Sequence, residues 1–175
     1  MHKINQPVYD IVSYTNLTKK KMSKIIVNNF DDLEQYIGKD LGVSDYITIS
    51  QDQINLFADA TLDHQWIHVD TERSKTESPY KTTIAHGYLN LAVLPFLWDQ
   101  IVEVNNSKLT VNYGIEKLRF NQPVLVDSQV RLRASLRSLI NLRGTSKAEI
   151  QVSMEIKDNK KTALDALIVF LYHFN

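Results

Sequence analysis

VRLRASLRSLINLRGTSKAEIQVSMEIK, residues Val130–Lys157, carries the pattern that decides the fold. Val130, Leu132, Ala134 and Leu136 alternate with Arg131, Arg133, Ser135 and Arg137. Further on, Ala148, Ile150, Val152, Met154 and Ile156 alternate with Lys147, Glu149, Gln151, Ser153, Glu155 and Lys157. A period of two puts every second side chain on one face, so each run predicts a long, half-buried strand. Arg143-Gly144-Thr145 reads as the hairpin turn between them, and Asp158-Asn159-Lys160 as the next turn. The segment Ala163 to Phe174 is apolar on both faces, which predicts a last strand whose outer side also needs cover.

Upstream the period changes. Tyr88 to Trp98, YLNLAVLPFLW, is apolar nearly all round, the pattern of a helix enclosed by the rest of the fold, with Pro95 kinking it. Together these segments predict an α+β chain in which a long antiparallel sheet wraps a buried central helix. Ser50 opens a further helix as N-cap, with Gln53 completing a capping box, and Ile54, Phe57, Ala58 and Thr61 form its inward face. This helix should stop near Leu62. Asp70 fits the N-cap of a short helix from Thr71 to Lys75, which Ser78-Pro79 breaks. In Asn29–Gly38, Phe30, Leu33 and Ile37 fall at helical spacing, with Gly38 as the residue just past the end.

The 175 residues suit one domain. Lysine plus arginine and aspartate plus glutamate number 20 each, so no net field draws the chain to nucleic acid or anionic lipid. Its apolar runs are too short for a membrane span, and the N-terminus lacks the apolar core of a secretory signal. A cytoplasmic protein is expected. With no cysteine there is no disulfide and no thiol chemistry. Residues 1–21, with Pro7 and Lys19-Lys20-Lys21, read as a poorly ordered extension ahead of one domain over 22–175, and Met22 reads as a natural chain start.

The chemistry concentrates in FADATLDHQWIHVDTERSKTESPYKTTIAHGYL, Phe57–Leu89, which holds three of the five histidines. Buried ionisable groups are costly unless paired, so an ordinary core would avoid this density. Asp63 and His68 would stand ~140° apart on a straight helix, so they converge only if the chain turns between them. A carboxylate and an imidazole facing one volume can hold and deprotonate a water. His86-Gly87 adds a glycine that admits a ligand close to the backbone and free N–H groups at a helix start, suited to a developing oxyanion. His64 reads as a hydrogen-bonded structural residue. The set His64, His68 and Asp70 is a weak metal pattern, and no metal and no cofactor is expected. His86 either orients the Gly87 turn or donates to substrate. Gln65, Trp66, His86, Tyr88, Asn112 and Arg119 are the candidate substrate contacts. For Trp66 the alternative is packing, and for Arg119 it is a solvated edge charge in place of a partner for an anionic group of the substrate.

Phe57-x5-Asp63-x4-His68-x-Asp70 followed by Ile84-Ala85-His86-Gly87 resembles the hydratase motif of the MaoC-like hot dog fold proteins. DHQWIHVD, TIAHG and NYG are similar to the branch related to nodulation protein N, and the likeness runs from about Gly38 to the C-terminus. The resemblance implies a single hot dog domain and (R)-specific hydration of trans-2-enoyl-CoA, or the reverse dehydration. It gives Asp63 and His68 the catalytic water and the Gly87 N–H the thioester oxygen. The substrate is an acyl-CoA or acyl-carrier-protein thioester. A homodimer joined sheet edge to sheet edge is expected, both from the family and from the cover the last strand needs. The chain departs from the broader motif at Gln65-Trp66, which replace Asn-Pro, and at Pro95, where some relatives place a serine. Acyl-chain preference and a role for that serine therefore do not transfer. The residues alone leave open a hot dog thioesterase and a non-catalytic acyl-thioester-binding subunit.

Overall fold

The β6–β7 hairpin is the spine of the molecule, which a computed structural model describes over residues 24–175. The readings for residues 1–21 and Met22 lie outside the described residues. Strand β6 spans Gln129–Leu142 and β7 spans Thr145–Ile156, paired antiparallel from Val130 opposite Ile156 to Leu142 opposite Thr145. Arg143 (φ 54°) and Gly144 (φ 97°) make the two-residue turn. Two left-handed residues give the backbone twist that matches paired strands. A bulge between Leu136 and Ser138 rephases β6, so Leu139 rather than Ser138 enters the core. The outward arginines are neutralised locally: Arg131 and Arg133 both bond Glu155, and Arg133 also bonds Asp40.

Strand β8, Leu164–Phe174, pairs with β7 on one side and with β5, Ser107–Phe120, on the other. Short β2 (Asp40–Val43) and β3 (Ile47–Thr48) both pair with β6, giving a six-stranded antiparallel sheet in the order β2-β6-β7-β8-β5. A separate parallel pair joins β1 (Ile25–Val27) to β4 (Val102–Val104), which no sequence period announced. The outer face of β8 needs no extra layer. Leu167 and Val169 are buried within this one chain, beside Lys117 and Gln151, and Gly114 and Glu149, on the flanking strands. Neighbours within this one chain bury the residues for which the sequence called for a further element.

Against the inner face lies the central helix, in two pieces: α5, Gly87–Ala92, and α6, Leu94–Trp98, with Pro95 in the first turn of α6. Leu89, Leu94, Leu97 and Trp98 face the sheet, where Leu132, Leu136, Ile150, Met154 and Leu164 are fully buried. Trp98 donates to the hydroxyl of Tyr172 at 3.1 Å, and burial pushes that phenol well above its ordinary range. The expectation of a helix enclosed all round is corrected. Tyr88, Ala92 and Phe96, four residues apart, form an exposed stripe, with Tyr88 at 68% and Phe96 at 61% exposure. One sheet can cover only one side of a helix.

Four helices precede it among the described residues, of which the single turn of α3, Trp66–Val69, belongs to the site. Asn29 caps α1, Phe30–Glu34, which ends well short of Gly38; the chain runs on in turns, leaving Leu33 buried and Ile37 exposed. Ser50 caps α2, Gln51–Thr61, by accepting from the Gln53 N–H, but among the described residues the Gln53 side chain makes no return bond. The box is thus half formed. Ile54 and Ala58 are buried, Phe57 is half-buried, and Thr61 is exposed. Asp70 caps α4, Thr71–Glu77, accepting from the Arg73 N–H at 2.9 Å. No helix among the described residues is long and apolar enough to cross a membrane.

Candidate active site

Leu62 adopts φ 62° and ends α2, turning the chain so that Asp63 leaves the helix direction. Four residues on, the single turn of α3, Trp66–Val69, carries His68 inward. This is the bend that the spacing of Asp63 and His68 requires. The segment before α5 is clamped to α3, with the Ile84 N–H on the Ile67 carbonyl at 3.1 Å and the Ala85 N–H on the Val124 carbonyl at 2.8 Å. Gln51, at the head of α2, donates to the His68 carbonyl and accepts from the Thr83 hydroxyl, tying all three pieces together.

His68 is buried, and its Nδ1 donates to the Ile84 carbonyl at 2.7 Å. That bond places the proton on Nδ1 and leaves Nε2 as a lone-pair acceptor. His86 stacks on His68 with ring centroids 3.8 Å apart and planes 25° apart. Its Nε2 donates to the Asp63 backbone carbonyl at 2.9 Å and lies 3.9 Å from the Asp63 carboxylate. His86 therefore pins the Asp63 loop. A ligand atom each from Asp63, His68 and His86 lies within 4.8 Å of the others. One oxygen can hydrogen-bond across such a gap, because two bonds of about 2.8 Å span more than that distance.

Burial holds the His68 imidazole below its ordinary value of 6.5, and the neighbouring His86 pushes in the same direction. His68 is thus neutral, and a base, at pH 7. If His68 is the base, kcat/KM rises with pH through a pKa below 6.5 and is flat across pH 7; a midpoint above 6.5 contradicts this. The same shift acts on stability. Between the lowered folded pKa and the unfolded value near 6.5, the unfolded chain binds more protons, so this contribution is full above 6.5 and declines as pH falls through that window.

Gly87 opens α5, where the first N–H groups of a helix have no acceptor within it. A side chain there would meet the Phe120 ring at 3.2–3.3 Å. His68, Gly87, Asn90, Phe120, Asn121 and Gln122 line one cavity of about 360 Å³. Asn90, Phe120, Asn121 and Gln122 were not read from the sequence as site residues. Asn90 left a signal, as the one strongly polar residue in the Tyr88–Trp98 run. Asn121 left none. It is held by Thr162 at 2.9 Å and by Asp165 at 2.5 Å, more than forty residues away.

The remaining candidates scatter. Gln65 is exposed at the head of α3, and the half-buried Trp66 packs under the Arg73 guanidinium, 4.3 Å from its ring centroid, outside the cavity wall. Tyr88 is exposed, edge-on to Phe120 at 6.0 Å. Asn112 lines a different, apolar cavity of about 250 Å³ with Leu91, Pro95 and Phe170. Arg119 sits opposite Asp165, on the other face of β5 from Phe120, so it points away from His68. His64 is exposed and bonds Asp59, and Asp70 is spent on its cap, so the set His64, His68 and Asp70 does not converge. The Asp63, His68 and His86 set does converge. Each of its histidines commits one nitrogen to a backbone carbonyl, which leaves one ring nitrogen on each.

Known proteins share this arrangement of elements. Residues 32–158 match the family model described as MaoC like domain. The chain is 46% identical over 142 residues to 3-hydroxyacyl-thioester dehydratase Z of Mycobacterium tuberculosis, covering 81% of this chain and 93% of that protein. It is 40% identical over 147 residues to nodulation protein N of Rhizobium leguminosarum, covering 82% of this chain and 91% of the relative. Among solved structures, an (R)-hydratase of Pseudomonas aeruginosa superposes with a TM-score of 0.66 at 19% identity, over 85% of this chain and 88% of that one. The antiparallel sheet around a central helix is the hot dog fold, and the chain belongs to the MaoC-like domain family.

Proposed function

We propose that this protein is a hydro-lyase that adds water to trans-2-enoyl-CoA, giving the (3R)-hydroxyacyl thioester, and catalyses the reverse dehydration. The observation that carries this reading is the pairing of a neutral, tautomer-fixed His68 with the Asp63 carboxylate across a gap one water wide, beside a cavity headed by Gly87. The likeness to a 3-hydroxyacyl-thioester dehydratase over most of both chains supports the reaction class. In hydration, a water held between Asp63 and His68 attacks C3 and loses one proton to the pair. The C2–C3 π electrons move toward the thioester carbonyl, the Gly87 N–H stabilises the resulting negative oxygen, and the pair passes that proton on to C2 as the carbonyl re-forms. The test is turnover of crotonyl-CoA and trans-2-octenoyl-CoA, followed as loss of enoyl absorbance with release of free thiol measured in parallel. Loss of absorbance without thiol supports hydration. Thiol release without hydroxyacyl product makes the protein a thioesterase, and binding without turnover makes it a carrier subunit.

The same reading includes a homodimer. Its support is the long β5 edge, which exposes Leu109, Tyr113 and Ile115, next to the Tyr88–Phe96 stripe of the helix. An unpaired apolar edge of this length invites pairing with a second copy. Light scattering at micromolar concentration should give twice the chain mass of 20.2 kDa, and a monomer there refutes the dimer.

A further inference from the structure

We propose that Asn90 recognises the oxygen at C3, the attacking water in hydration and the 3-hydroxyl in dehydration, by accepting the hydrogen that this oxygen keeps. This rests on the hydratase reading above. Helix α5 reads Gly-Tyr-Leu-Asn-Leu-Ala, and Asn90 is only 4% exposed in it. Its Oδ1 has no hydrogen-bond partner among the described residues. A buried carboxamide without a partner destabilises the fold, and asparagine is a poor helix former, so packing alone favours leucine or alanine here. A ligand that completes the hydrogen bond accounts for the residue.

Its position suits that ligand. Asn90 follows Gly87 by three residues, which places both on one helix face about 4.5 Å apart along the axis. Both line the cavity that His68 also faces. The Oδ1 is closed off as it stands, and a half-turn of the carboxamide exchanges it with the NH₂ and brings it to the cavity side. With the thioester oxygen on Gly87, the acyl carbons that follow it reach the depth of Asn90. An enoyl thioester offers no hydrogen-bond donor at C3, whereas water and the 3-hydroxyl each do. In hydration the water oxygen bonds C3 and one of its hydrogens leaves as a proton to one member of the Asp63–His68 pair. The other hydrogen stays as the hydroxyl proton, shared in a three-centre bond between the second member of the pair and Asn90.

The full-length wild type is assayed first on crotonyl-CoA and trans-2-octenoyl-CoA. If it consumes neither, the hydratase reading fails and takes this proposal with it. In Asn90→Leu, kcat for hydration should fall about tenfold to a hundredfold, as when a site built for a hydroxyl loses its partner. KM for the enoyl substrate should stay within about twofold, while inhibition by (3R)-hydroxybutyryl-CoA weakens about tenfold. The melting temperature should hold or rise. Asn90→Asp, which accepts a hydrogen bond in either ionisation state, should recover most of the discrimination between hydroxyacyl and enoyl ligands. Unchanged discrimination in Asn90→Leu overturns the proposal, whether or not the protein is destabilised. If that variant does not fold, the ratio measured on Asn90→Asp decides: discrimination near that of the wild type supports the assignment, and its loss overturns it.

Discussion

Replacing His68 by alanine is expected to lower kcat/KM for enoyl-CoA hydration by about 10²–10⁴, and Asp63→Ala by a similar factor. The expectation follows from geometry. His68 Nε2 is an acceptor because its other nitrogen is fixed on the Ile84 carbonyl, and a carboxylate oxygen of Asp63 lies within 4.8 Å of a His68 ring nitrogen. The two substitutions should differ in stability. Asp63 is largely exposed, so its removal leaves the melting temperature nearly unchanged. His68 is buried and stacked on His86, so its removal also lowers the melting temperature. If both groups act on one water, the double variant should be little worse than either single one. Steady-state kinetics on all three variants, with melting curves on the same preparations, checks this. Wild-type turnover in both single variants removes the pair from the mechanism, and additive losses separate their roles.

Gly87→Val carries the second large effect. The added side chain meets the Phe120 ring at 3.2–3.3 Å from its first carbon, and Phe120 is itself a wall of the cavity. Phe120 is 43% exposed, so the ring can yield, and the stability lost should be modest. The N–H remains, but the thioester oxygen can no longer approach it. An oxyanion donor removed from use costs about 3–4 kcal/mol of transition-state stabilisation, a loss of roughly 10²–10³ in rate. A glycine serving only the helix start would show the opposite split, a lower melting temperature with kcat/KM intact. Measuring both on one preparation separates the two, and a destabilised but fully active Gly87→Val leaves the oxyanion without this donor. Phe120→Ala in the Gly87→Val background should recover part of the loss, because it gives back the space the valine takes.

The strands were legible in the sequence because their cause is local. Alternation from Val130 to Leu136 and from Ala148 to Ile156 states which side chains a sheet must bury, whatever the rest of the chain does. The caps at Ser50 and Asp70 were legible for the same reason, each serving an N–H three residues away. The motif around Asp63, His68 and Gly87 named the candidate residues that the fold brings near one another. It also implied a bend between Asp63 and His68, which the left-handed Leu62 supplies.

Long-range packing decided the rest. Which side of the central helix stays open depends on how far one sheet can wrap it, so the uniformly apolar Tyr88–Trp98 run could not reveal the exposed Tyr88 and Phe96. The face that Arg119 takes depends on its register against Asp165, and the bulges of β5 make that register invisible to a count along the strand. His86 holds the backbone of Asp63, and Asn121 is held by Asp165, across gaps of 23 and 44 residues. Periodicity and capping act over a few residues. Convergence of distant segments is set by the sheet that brings them together, and so it exists only in the folded chain.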